Sequence, residues 1–74
     1  MKGITTVTNS CVFAVLPNAA NNLDDVVPIT DYLTEHDYEN IAQWSADGND
    51  IELWVYLTRE DMDIAELCEV IEGK

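Results

Sequence analysis

The run Ile51-Glu52-Leu53-Trp54-Val55-Tyr56-Leu57 alternates residue by residue, with Ile51, Leu53, Val55 and Leu57 facing one way and Glu52, Trp54 and Tyr56 the other. Period-two alternation of β-branched, aliphatic and aromatic residues is the pattern of a strand with one face turned to a core. The period then changes. Thr58 with Asp61 three residues on makes a Ser/Thr-x-x-acid capping pattern. Ile64, Leu67, Cys68 and Ile71 recur beyond it at helical spacing, which predicts a helix from Thr58 to about Glu72 with one apolar stripe. Neither element can bury its apolar side alone, so helix must pack on sheet.

Toward the N-terminus, Ile4 to Thr8 and Cys11 to Leu16 are rich in β-branched and aromatic residues and are separated by Asn9-Ser10, which predicts an antiparallel hairpin ended by Pro17. Asn18 to Pro28, with three Asn, Asp24, Asp25 and a second proline, has the composition of a long loop. Thr34 with Asp37 repeats the capping pattern. A helix is expected after it, with Tyr38, Ile41, Ala42 and Ser45 on its inner side, Trp44 at the margin, and Glu35, His36, Glu39, Asn40 and Gln43 outside. Asp47-Gly48-Asn49 would stop that helix. The match between Tyr32-Leu33-Thr34 and Tyr56-Leu57-Thr58 adds a short strand around Val26 to Leu33 as an alternative. The expected fold is α+β, one domain over residues 1–74: a small antiparallel sheet of three strands, or four with that addition, and two helices packed on one face.

Charge sets this chain apart. Fifteen Asp and Glu stand against Lys2, Arg59 and Lys74, a formal net charge of −12, whereas solubility of a small domain is served by a magnitude of about 2–8. The excess adds self-repulsion to the compact state, and a cost of that kind suggests use. Direct nucleic-acid binding is disfavoured, because phosphate contacts need Lys and Arg, and an anionic membrane surface would repel the chain. No apolar run approaches the ~20 residues that span a bilayer, and none after Lys2 looks like a secretory signal. A cytoplasmic protein is expected, with Cys11 and Cys68 as reduced core thiols and a bridge between them as the alternative.

Catalytic chemistry finds little support in the residues. The single histidine, His36, falls on the polar side of its expected helix, and three scattered glycines build no phosphate loop. Asp47, Asn49, Asp50 and Glu52 cluster, but their spacing fails the twelve-residue calcium loop. No enzyme, cofactor or metal site is expected.

The acids themselves are patterned. Asp63, Glu66, Glu69 and Glu72 recur every third residue on the expected last helix, opposite its apolar stripe, with Glu60 at the same interval before them. Steps of ~4.5 Å along the axis let flexible side chains spread their carboxylates to distances like those between phosphates on a strand. Glu35 and Glu39 would support the row, and Asp24, Asp25 and Asp31 could join one negative field. In size, charge and carboxylate rows, with no motif match, the chain resembles the small acidic phage-encoded anti-defence proteins of the anti-CRISPR and DNA-mimic type. That resemblance implies a stoichiometric inhibitor that occupies a basic nucleic-acid-binding site on a host defence nuclease or surveillance complex, in the host cytoplasm. The competing expectation is a small adaptor or regulatory protein that binds a protein partner, or itself as a homodimer, through Glu52, Trp54 and Tyr56, aromatics being favoured anchors.

Overall fold

A computed structural model describes residues 2–73. Strands β1 (Ile4–Val7) and β2 (Cys11–Leu16) form one hairpin and a 3-10 turn (Ala19–Asn21) leads into helix α1 (Leu23–Glu35). Strands β3 (Asn40–Trp44) and β4 (Ile51–Tyr56) form a second hairpin, followed by helix α2 (Ile64–Glu72). The four strands make one antiparallel sheet in the order β1-β2-β4-β3. The architecture is therefore α+β, with four strands and two helices.

The core is built from alternate residues of the two central strands. Val12, Ala14 and Leu16 of β2 and Leu53 and Val55 of β4 are buried, together with Ile29 and Leu33 of α1 and Leu67 and Ile71 of α2. The register sets Val12 opposite Val55 and Ala14 opposite Leu53, so one face of the sheet carries the cluster. Each buried Val, Leu or Ile among them contributes about 1.5–3 kcal/mol on burial. Thr8 shapes the first hairpin: its N–H donates to the Cys11 carbonyl at 2.9 Å and its hydroxyl accepts the Cys11 N–H at 3.1 Å. Both hairpin strands and β4 match the sequence expectation closely.

The middle of the chain does not. The expected loop over Asn18 to Pro28 and the alternative strand over Val26 to Leu33 are replaced by α1, which begins at Leu23 and contains Pro28. Pro28 deprives the Asp24 carbonyl of a helical donor, but both residues are exposed and water can satisfy that oxygen. What holds the helix is the stripe Val26, Ile29 and Leu33 packed on the core, with Asp24 and Asp25 at its positive end.

Thr34 to Asp37 ends a helix where a start was expected. Asp37 has φ 55, its N–H donates to the Thr34 carbonyl at 3.1 Å, and the Tyr38 N–H reaches back to the Leu33 carbonyl at 3.0 Å. This is the Schellman pattern of a left-handed helix stop, completed by Tyr38 and Leu33 meeting in the core. Because aspartate fills a position that glycine takes without strain, Asp37→Gly should raise stability by about 0.5–1 kcal/mol, read as a higher urea midpoint. The helix expected over Tyr38 to Ser45 is β3, whose five residues are all exposed.

The last helix also starts later than expected. Thr58 lies in a loop, and the cap is Asp63, whose carboxylate accepts the Glu66 N–H at 3.0 Å. Asp63→Ala should therefore cost about 1 kcal/mol, while Thr58→Ala should stay within about 0.5 kcal/mol of the parent in the same melt. Equal effects would misplace the helix start.

Candidate interaction surfaces

The acidic surface is made by two helices side by side. A groove between them is lined by Asp25, Pro28 and Ile29 of α1 and by Val70, Ile71 and Gly73 at the end of α2. At the other end Tyr32 of α1 lies in the field of Glu66 and Asp63. The helices thus run antiparallel, and the start of each flanks the end of the other. Asp24, Asp25, Asp31 and Glu35 lie on α1, and Glu66, Glu69 and Glu72 lie on α2 with Asp63 at its cap. Neither helix contains Lys or Arg.

This placement opposes helix stability at two of the four ends. Carboxylates near a helix start are favourable, and those in a last turn face the negative end of the dipole. Glu35 closes α1, and Glu69 and Glu72 lie in the last turn of α2, with no basic residue in either last turn. Arg59 relieves the field only locally. Its guanidinium donates to the His36 carbonyl at 2.9 Å, lies 5.0 Å from the Tyr38 ring centre and pairs with Asp61 at 3.3 Å, closing the loop beneath α1. Lys74 lies outside the described residues.

The expected row on α2 divides by role. Glu66 and Glu69 are exposed. Asp63 is the helix cap, and Glu72 is partly buried and accepts the Thr5 hydroxyl from β1, so these two carboxylates hold the fold. Glu60 lies outside the helix. Glu35 stays with the helical surface, at the end of α1, but Glu39 precedes β3 and lies on no helix. Of the other α1 acids, Asp24 and Asp25 fall in the expected loop and Asp31 is given no place on a helix by the expected element order, yet all three lie on the helix that carries Glu35. Asp47 and Asp50 belong to the β3–β4 turn: Asp47 accepts from the Ser45 hydroxyl at 2.6 Å, and Asp50 accepts the Asn18 N–H at 2.8 Å. The Ser45 hydroxyl, then the Asn49 N–H, holds the Asp47 carboxyl below its ordinary pKa.

Tyr32 reports on the space between the helices. Burial, then the Glu66 carboxylate, pushes its phenol up to about 12. Its ordinary value is 10.0, so in the interval between the two the unfolded chain has lost a proton that the fold retains, and stability falls as pH rises. A phenolate absorbance titration should show a late step that disappears in Tyr32→Phe.

A second surface lies on the alternate residues of the sheet. Phe13 and Trp54 are cross-strand partners with ring centres 5.1 Å apart. Their row continues to Thr6 on β1 and Ile41 on β3, and the neighbouring rows hold Ile4, Val15, Glu52 and Gln43, and Cys11 with Tyr56. Ile4 is 64% exposed and Ile41 54% exposed. Glu52 accepts from the Gln43 amide at 2.8 Å. An almost wholly apolar β2 conceals that Phe13 faces out, and Ile41, expected on the inner side of a helix, lies instead on this face of β3. Cys11 lies on this face, whereas Cys68 packs against the core from α2, and both are free thiols. No helix among the described residues is long and apolar enough to cross a membrane. No protein-family model, no curated protein and no solved structure matches the chain.

Proposed function

We propose that this protein is a non-catalytic, stoichiometric binder that uses the outer surface of α1 and α2 to occupy a basic, nucleic-acid-binding site on another protein. The observation that carries this reading is the juxtaposition of two antiparallel helices, rich in carboxylates and free of Lys and Arg, with acids retained where they work against the helix dipoles. In this reading both helices cover the Val12–Val55 face of the sheet, so their outer sides form one continuous negative surface. Asp31, Glu35, Glu66 and Glu69 carry binding, and Asp63 and Glu72 hold the layer in place. The resemblance to anti-CRISPR and DNA-mimic proteins points to a defence nuclease or surveillance complex as the target class. The test is capture from a bacterial lysate at low salt on immobilised protein, beside the variant Asp31→Asn/Glu35→Gln/Glu66→Gln/Glu69→Gln. Nucleic-acid-binding proteins should be retained by the parent alone and released both by a salt step and by added duplex DNA. Equal retention by the two columns would overturn the proposal.

The Phe13–Trp54 pair supports a second reading, an adaptor that binds through the sheet face. Such binding would resist salt and fail in Trp54→Ala, the reverse of the behaviour expected of the helical surface.

A further inference from the structure

The two edges of the sheet are managed differently. At β1, the Gly3 N–H donates to the Ile71 carbonyl at 3.2 Å and Thr5 bonds Glu72, so the end of α2 ties that edge down. At β3 no comparable bond is present among the described residues. Its sequence Asn-Ile-Ala-Gln-Trp has no charge, no proline and no glycine, and its pairing with β4 runs without a bulge from Asn40 opposite Val55 to Trp44 opposite Ile51. Those are the devices by which exposed edges are ordinarily blunted.

The register fixes which groups are open. Tyr56 donates to Glu39, and Ser45 donates to Asp50, so by the alternation of an antiparallel ladder Ile41 and Gln43 bond to β4 while Asn40, Ala42 and Trp44 turn their N–H and C=O outward. Only another extended strand matches donors and acceptors at that repeat. Charge then selects the strand. Asp37 and Glu39 precede β3, Asp47 and Asp50 follow it, and the nearby Arg59 already pairs with Asp61. A second copy pairing antiparallel would set acids against acids at both ends.

We propose that β3 receives, as a fifth strand of the sheet, an extended segment of the partner with an alternating apolar core and Lys or Arg at both ends. Apolar residues of that segment would cover Ile41 on one face and Trp44 on the other, both at least half exposed in the free protein. This inference rests on the basic-partner reading and names a second point of contact for it.

The experiment is amide hydrogen exchange by NMR on the whole protein, with a short synthetic peptide of alternating valine and threonine flanked by lysines. Saturating peptide should slow exchange at Asn40, Ala42 and Trp44 by about tenfold and leave Ile41 and Gln43, already bonded to β4, unchanged; such an odd-even pattern arises only from edge pairing. A peptide interrupted by proline should produce no protection. The proposal is overturned if the lysine peptide perturbs only the helical surface, a result that leaves the basic-partner reading standing. It is equally overturned if a glutamate-flanked peptide protects as well, or if the same amides become protected with rising protein concentration alone, which would make a second copy the occupant. Conversely, edge protection that persists in the Asp31→Asn/Glu35→Gln/Glu66→Gln/Glu69→Gln variant, combined with equal lysate capture by that variant, would remove the helical surface and keep the edge.

Discussion

Replacing Leu67 by alanine should leave a chain that melts far below the parent. Leu67 is fully buried on the inner side of α2 and belongs to the cluster that joins both helices to β2 and β4. Truncating a core leucine costs about 2.7–5 kcal/mol, because the transfer energy of the lost methyls is joined by the cavity they leave. Stabilities of about 0.05–0.15 kcal/mol per residue put a domain of this length at roughly 4–11 kcal/mol in total. The substitution therefore removes a large fraction of the whole, and like charges on the same helix leave little reserve. Leu23→Ala is the control, since Leu23 is 54% exposed at the start of α1 and should stay within about 0.5 kcal/mol of the parent. Urea unfolding followed by far-UV circular dichroism separates the two. A Leu67→Ala cost below about 1 kcal/mol would mean that α2 does not pack on the sheet as described.

The parts of the fold legible in the sequence are those where one physical signal acts alone. Ile51 to Tyr56 alternates because β4 is central, with one face on the core, and Leu53 and Val55 are buried as expected. The stripe on α2 was visible for the same reason, with Leu67 and Ile71 buried and Ile64 and Cys68 partly so. Sequence pattern and structure part where two signals compete. Pro28 argues against a helix by propensity, and tertiary burial of Ile29 and Leu33 overrides it. Thr34 to Asp37 satisfies the residue pattern of a helix start, yet aspartate also tolerates the left-handed conformation of a helix stop, and burial of Leu33 and Tyr38 in one core decides. β3 carries no period-two signal at all, because neither of its faces is buried.

The candidate site was legible to the same degree. Glu66 and Glu69 follow from helical spacing on α2, which the sequence shows. That Asp31 shares with Glu35 a helix packed along α2 depends on α1, which the sequence conceals. Asp63 and Glu72 resemble their neighbours in spacing and differ only in what they touch, the first turn of α2 and Thr5 of β1.

That division decides how the acidic surface should be neutralised. Changing Asp63 and Glu72 would mix loss of charge with loss of a cap and of a strand contact, whereas Asp31→Asn/Glu35→Gln/Glu66→Gln/Glu69→Gln removes charge from exposed positions alone. The net charge moves from −12 by four units. Stability should rise slightly, because Glu35 and Glu69 oppose helix dipoles at about 0.3–1 kcal/mol each and like-charge pairs add a few tenths more, which together exceed the single favourable first-turn carboxylate lost at Glu66. Binding should fall at the same time. Complementary fields lift association from about 10⁵–10⁶ to as much as 10⁸–10⁹ M⁻¹s⁻¹, so a partner retained through this surface should associate with the variant on the order of 10–100-fold more slowly at low salt. Added salt should slow the parent toward the variant and barely change the variant itself, since screening acts on the same field that the substitutions remove. Duplex DNA should compete with the parent for that partner, both being polyanions drawn to one basic site. Stopped-flow association over a salt series gives all three results, and a variant that melts higher yet associates as fast as the parent at every salt would assign the acids no part in recognition.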